Sequence, residues 1–154
     1  MTHLDIRGAR PADLAALQSV AVATGLFPPE MLPDMISPFL AGDEDSFWLT
    51  AVAEHKPVGL AFTQVEPMTE GTWNMLALAV HPDYQGKGLG RMIVQKVEHT
   101  LVEKAARLVI VDTSGTESFA KARAFYQALG YEVEARIRDF WSAGDDKVTL
   151  RKSL

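Results

Sequence analysis

The 154-residue chain contains no cysteine, which excludes a disulfide framework, a thiolate metal site and a cysteine nucleophile. No apolar run approaches the ~20 residues of a membrane span. The opening Met1-Thr2-His3-Leu4-Asp5-Ile6-Arg7 has no signal-peptide hydrophobic stretch. A soluble, cytoplasmic protein with no membrane partner is therefore the expectation. Basic residues are also scarce: 15 Lys plus Arg stand against 20 Asp plus Glu, a formal net charge of −5. A duplex binder needs a clustered basic surface to release counterions from phosphates, so no nucleic-acid partner is expected. No His or carboxylate pair recurs at ligand spacing, so no metal site is expected either.

What the chain does have is a 47% hydrophobic content, enough at this length for one compact domain burying roughly two-thirds of its unfolded surface. Apolar Leu14, Leu17, Ala21 and Val22 behind Pro11 predict a helix over 12–23. A second, shorter helix over 29–40 should be kinked or fragmented by Pro33 and Pro38. From Phe47 the texture turns to strands at 47–54, 58–66 and 72–80, an antiparallel meander with turns at His55-Lys56-Pro57 and Thr69-Glu70-Gly71. A helix over 88–104 follows. The short apolar run Leu108-Val109-Ile110-Val111 reads as a buried strand, and a strand-helix-strand crossover makes it parallel to the strand ending at Val80. Ala122, Phe125, Tyr126 and Leu129 mark a last helix stopped by Gly130, and strands over 131–139 and 147–152 complete the sheet.

Between Val80 and the helix near Gly88 lies His81-Pro82-Asp83-Tyr84-Gln85-Gly86-Lys87-Gly88-Leu89-Gly90-Arg91. Three glycines in five residues, where a strand becomes a helix, free backbone N–H groups from side-chain cover and aim them at one point. The helix N-terminus adds roughly half a positive charge there, so a phosphate or pyrophosphate is the natural ligand, with Lys87 and Arg91 at hand. The spacing is G-x-G-x-G, neither the Walker string nor the G-x-G-x-x-G dinucleotide fingerprint. The antiparallel hairpins ahead of it also argue against a Rossmann domain.

Gln85-Gly86-Lys87-Gly88-Leu89-Gly90 resembles the Q/R-x-x-G-x-G/A signature of the GCN5-related N-acetyltransferase (GNAT) superfamily. Ala122-Arg123-Ala124-Phe125-Tyr126-Gln127-Ala128-Leu129-Gly130-Tyr131 matches that family's A-x-x-F-Y-x-x-x-G-Y/F segment, in the right order and some forty residues on. The resemblance spans nearly the whole chain, 1–154 as one N-acetyltransferase domain. It implies an α/β fold: a mixed, mostly antiparallel sheet with helices on both faces. It also implies an acyltransferase that uses acetyl-CoA as co-substrate.

Carried over residue by residue, the resemblance places Leu78, Ala79 and Val80 along the pantetheine arm. Gln85, Gly86, Lys87, Gly88, Gly90 and Arg91 fall around the pyrophosphate. Tyr126 becomes the acid that protonates the departing CoA sulfur, although a tyrosine in an apolar stripe is more simply core packing. Leu89, Met92, Ile93, Val97 and Leu101 form one core-facing stripe of the long helix. Two departures stand out. The strand 72–78 holds no carboxylate to serve as general base, leaving Glu66 and Glu70 at its flank or a water on Asn74. The asparagine that many relatives carry seven residues before the helix tyrosine is here Phe119.

The acceptor implied is the primary amine of a small molecule, attacked directly in a ternary complex. A protein amine and a non-catalytic CoA-binding module are the alternatives. The acceptor is expected between the segment Phe27 to Met35 and the loop Asp139 to Asp146, within the segment Arg138 to Lys147 that joins the last two strands. In that loop Phe140 and Trp141 beside Asp139 and Asp145 suit a cation, a packed hairpin or a homodimer contact.

Overall fold

A computed structural model describes residues 3–154. Seven strands, β1 (Leu4–Gly8), β2 (Ser46–Ala53), β3 (Lys56–Val65), β4 (Thr72–Val80), β5 (Leu108–Ser114), β6 (Glu132–Ser142) and β7 (Asp145–Ser153), form one sheet in the order β1-β2-β3-β4-β5-β7-β6. Every neighbouring pair is antiparallel except β4 and β5. Helices α1 (Leu14–Thr24) and α2 (Leu32–Leu40) cover one face, while α3 (Leu89–Glu103) and α4 (Ala120–Ala128) cover the other.

The two cores show why both faces are covered. Phe47, Leu49 and Ala51 alternate along β2 and meet Ile93, Val97 and Leu101 of α3 on one side. Trp48, with Leu60 and Phe62 of β3, meets Leu17 and Val20 of α1 and Leu32 and Ile36 of α2 on the other. Period-two alternation thus supplies an apolar residue to each layer, the pattern a central strand needs. No helix among the described residues is long and apolar enough to cross a membrane.

Several sequence expectations need correction. β1 has no counterpart in the sequence reading: it is a five-residue edge strand, mostly exposed, and its alternation is too short to register. Its place is set by tertiary contact, because Arg7 donates to both oxygens of the buried Asp13, at 2.8 and 3.1 Å, ahead of α1. Asp13 also accepts the Arg10 N–H at 2.7 Å. The segment 29–40 is divided as expected, into a 3-10 turn Pro29–Met31 and α2. Pro33, however, sits in the first turn of α2, where no amide is required, and Pro38 lies inside the helix only two residues from its end. Met92 is 40% exposed rather than core, and Val94 is buried instead. Segment 138–147 is not an open loop. β6 and β7 run through it to pair Ser142 with Asp145 across a two-residue turn, with Asp139 (φ +56°) breaking the register.

One irregularity positions the rest. The β4–β5 ladder has three rungs, Thr72–Leu108, Trp73–Val109 and Asn74–Ile110. Beyond Asn74, β4 stays paired with β3 as far as Val80, and β5 with β7 as far as Ser114. The sheet therefore opens along a seam. At the same point Leu76 is bulged out of the β3 ladder, so Met75 packs into the α3 core while Ala77 and Ala79 pack into the α1–α2 core.

Candidate active site

The seam ends on the glycine turn. His81 Nδ1 accepts the Asp83 N–H at 3.1 Å, opening a single 3-10 turn over Pro82–Tyr84. Gln85 Nε2 then donates to the Val80 carbonyl at 2.8 Å, tying the turn to the end of β4. Gly86 (φ +75°) and Gly88 (φ +82°) take left-handed backbone that side chains other than glycine's seldom adopt. No side chain caps α3, so the first amides of this 15-residue helix are left for another partner.

A Cβ built on Gly86 or Gly88 meets no protein atom within 4 Å, so the space before the turn is open to a ligand. Gly90 differs: a Cβ there would lie 3.4 Å from the Phe125 ring, so this glycine lets α3 and α4 approach.

In front of the turn lies a cleft of about 640 Å³, within the usual range for cofactor sites. Of the cofactor-binding residues expected from sequence, Leu78, Ala79, Val80, Gln85, Gly86, Gly88, Gly90 and Arg91 line it. Lys87 does not, and its ammonium lies 5.5 Å from the centre of the Tyr84 ring. Thr24 and Leu26 at the end of α1, Phe119, Lys121 and Phe125 complete the wall. Of these, Lys121 went unnoticed in the sequence, where a lone lysine before the A-x-x-F-Y segment carries no signal. The cleft suits a long ligand with an apolar stem and an anionic end. The stem would lie along the open edge of β4, and the phosphates would face the amides of Gly86 to Gly90 with Arg91 and Lys121.

Tyr126 is 8% exposed and does not itself line the cleft. Its ring stands edge-on between Phe125 and Tyr131, with centroids 5.2 and 5.6 Å away. Tyr131 donates its hydroxyl to Glu98 at 2.8 Å. The Tyr126 hydroxyl has no such side-chain partner, yet it is not among the sealed, unbonded polar atoms of the described residues, which are on Trp48, Thr63 and Asn74. Burial raises its pKa above the ordinary phenol value and keeps it protonated.

On the seam's opposite side, buried Asn74 donates through Nδ2 to Asp112 at 3.2 Å and to Glu66 at 3.4 Å. Thr149 donates to the other Asp112 oxygen at 2.6 Å. The structure thus brings Glu66 and Asn74 together and adds Asp112, which the sequence reading passed over. Its one signal was a charge placed directly after the apolar run 108–111. Glu70 is exposed in its turn. Phe27 and Met35 pack against the α1–α2 core, and of that segment's large apolar residues Met31 is the exposed one.

The sequence profile of the acetyltransferase (GNAT) family matches residues 14–131. The chain belongs to this family, a class of acyltransferases that draw their acetyl group from acetyl-CoA. A protein from Desulfovibrio desulfuricans assigned to the GNAT acetyltransferases superposes with a TM-score of 0.89 at 30% identity, over 98% of this chain and 99% of the other. yncA from Salmonella typhimurium, solved with its cofactor acetyl-CoA, shares the fold with a TM-score of 0.80 at 18% identity, over 99% and 94% of the two chains. In sequence, the peptidyl-lysine N-acetyltransferase YjaB of Salmonella typhimurium is 30% identical over 105 residues, which cover 68% of this chain and 61% of that one.

Proposed function

We propose that the protein transfers the acetyl group of acetyl-CoA to a primary amine of a small molecule, by direct attack in a ternary complex. The observation that carries this reading is the seam between β4 and β5, which ends on uncapped helix amides and an open glycine turn. A pantetheine arm completes β4 as an added strand would, and a pyrophosphate satisfies the turn. Acetyl-CoA supplies an activated acyl group whose C–S bond breaks as the new C–N bond forms.

The chain's residues then orient and move protons. β4 and the cleft hold the thioester against the seam, and the acceptor approaches from the Asn74 side. Holding both reactants in register supplies much of the rate, and no cysteine exists to carry the acyl group. An ammonium acceptor loses two protons overall. One reaches the sulfur through the Tyr126 hydroxyl, which is reprotonated, and the other goes to solvent. A phenol held protonated by burial is suited to meeting a developing thiolate in the same low-dielectric setting.

A second reading, acetylation of protein lysine, is favoured by the name of the YjaB relative, since a lysine side chain is itself a primary alkylamine. Thiol release from acetyl-CoA with a panel of small amines and lysine peptides separates the two. Faster turnover of peptides would replace the small-molecule acceptor with a protein one. No thiol release with any amine, despite bound CoA, would leave a CoA-binding module.

A further inference from the structure

We infer that His81 is a positioning residue for the cofactor: its neutral imidazole holds the glycine turn in the form that receives the pyrophosphate, and protonation releases it. This rests on the acetyl-CoA reading above and adds to it a dependence of cofactor affinity on pH, set by one side chain.

His81 follows directly on β4 and opens the segment that leads to the first amides of α3. Its backbone is held at both ends, the N–H donating to the Val58 carbonyl of β3 at 2.8 Å and the carbonyl accepting the Tyr84 N–H at 2.9 Å. Its Nδ1 accepts the Asp83 N–H at 3.1 Å, and that bond is the side-chain cap of the single 3-10 turn over Pro82–Tyr84. The turn continues into the cofactor site. Gln85 donates its backbone N–H to the Pro82 carbonyl at 3.3 Å and its Nε2 to the Val80 carbonyl at 2.8 Å. Tyr84, Gln85, Gly86 and Gly88 line the cleft, whereas His81 does not. A ring outside the cleft thus fixes the start of a segment that forms its wall.

Only an unprotonated imidazole nitrogen accepts a hydrogen bond, because imidazolium carries a donor on both nitrogens. Protonated, Nδ1 would face the Asp83 N–H donor against donor. A second partner stands in the same residue, since the Asp83 carboxylate lies 3.7 Å from Nδ1. The ring then exchanges the backbone of Asp83 for its side chain, and the cap is lost. The Asp83 side chain is 80% exposed, so the new ion pair offsets little of that loss. Among the described residues His81 pairs with no other acid. Tyr84 stands edge-on to it at 6.3 Å, with the Lys87 ammonium 5.5 Å from the Tyr84 ring centre. β3 contributes the Val58 carbonyl, with Lys56 exposed two residues away.

Histidine changes charge between about pH 5 and 8. The neutral form is the one that caps the turn, so cofactor affinity should fall as pH drops through that range. Direct attraction of the pyrophosphate by a newly charged ring would have the opposite sign.

The test is calorimetric titration of the full chain with CoA at about pH 8 and about pH 5.5, on either side of the imidazole range, for wild type, His81→Ala and His81→Asn. The phosphate monoester of CoA itself titrates near pH ~6, equally in all three proteins, so the ratio of affinities isolates the imidazole. At the higher pH His81→Ala should bind about fivefold more weakly than wild type, ~1 kcal/mol for a lost cap. At the lower pH the two should bind alike. His81→Asn, whose amide oxygen caps without titrating, should recover the lost affinity at the higher pH and exceed wild type about fivefold at the lower. Circular dichroism checks folding at both pH values, and the asparagine variant carries the test by itself if the alanine variant does not fold. A wild-type to alanine ratio equal at both pH values, wild-type binding that gains on alanine at the lower pH, or an asparagine variant that tracks wild type throughout would each overturn the inference and leave the cofactor site standing. Absence of CoA binding by wild type at the higher pH would overturn both together.

Discussion

Asn74 and Ile110 form the last rung between β4 and β5, and every feature of the site is arranged about the opening that begins beyond them. On one side lie the glycine turn and the cleft, on the other the carboxylates bonded to Asn74. A seam of this kind exposes unpaired backbone donors and acceptors in the middle of a sheet, which is tolerable only where water or a ligand completes them.

Replacing Gly88 should separate folding from cofactor binding. A Cβ there meets no protein atom within 4 Å, but the residue must adopt a φ near +82°, at roughly 1–2 kcal/mol for a left-handed residue. The Gly88→Val protein should remain folded with a lowered melting temperature, and its CoA affinity should fall at least tenfold. Unchanged affinity by calorimetry would remove the turn from the cofactor site.

The cleft distinguishes two lysines that the sequence alone cannot rank. Lys121 lines it, whereas Lys87 leans over Tyr84. Lys121→Ala should weaken CoA about fivefold, the ~1 kcal/mol of an exposed charge contact, and the loss should shrink in high salt. Lys87→Ala should change affinity less. The reverse order would mean that the turn closes differently around phosphate.

Tyr126→Phe keeps the ring between Phe125 and Tyr131 and deletes only the hydroxyl. Single-turnover acetyl transfer at saturating amine should slow roughly 10²- to 10⁴-fold, with CoA affinity little altered. A wild-type rate in this variant would make Tyr126 a packing residue.

The Arg7–Asp13 pair should make stability acid-sensitive. Hydrogen bonds from Arg7 hold the Asp13 carboxyl below its ordinary pKa, despite opposing burial. A folded-state pKa that is lowered adds stability present above the ordinary carboxylate range and lost as pH falls through the depressed value. Asp13→Asn should therefore lower stability at neutral pH by about 2 kcal/mol, from lost bonds to a charged group. The gap between the two proteins should close below about pH 4. A gap independent of pH would assign the effect to packing.

The features legible in the sequence are local ones. Gly86 and Gly88 announce a turn, and both take the left-handed backbone that costs most other residues free energy. The run 108–111 announces a strand, but its cover is one-sided: Val109 and Val111 are buried while Leu108 and Ile110 are only partly so, which corrects the expectation of a fully buried strand. Helix α4 and its stop follow from spacing and Gly130, and the two motif segments together indicate the family.

Less visible was anything resting on distant contact. β1 carries a pattern of five residues, too short to detect, and is held through Arg7 and Asp13. The turn of the β6–β7 hairpin looked like a loop because Asp139, Gly144 and Asp145 are turn formers, yet cross-strand pairing carries the strands through to Ser142 and Asp145.

By itself, then, the sequence determined where the backbone must turn, which stripes are apolar and which residues could cradle an anion. Each of these depends on interactions within a few residues. Only the tertiary structure decided that β4 and β5 part after Asn74, and that Asp112 and Asp145, thirty-three positions apart, face one pocket with Phe119 and Trp141. The reason is physical: strand register and the bulge at Leu76 are set by packing two helical layers on opposite faces of one sheet. No short stretch of sequence carries that constraint.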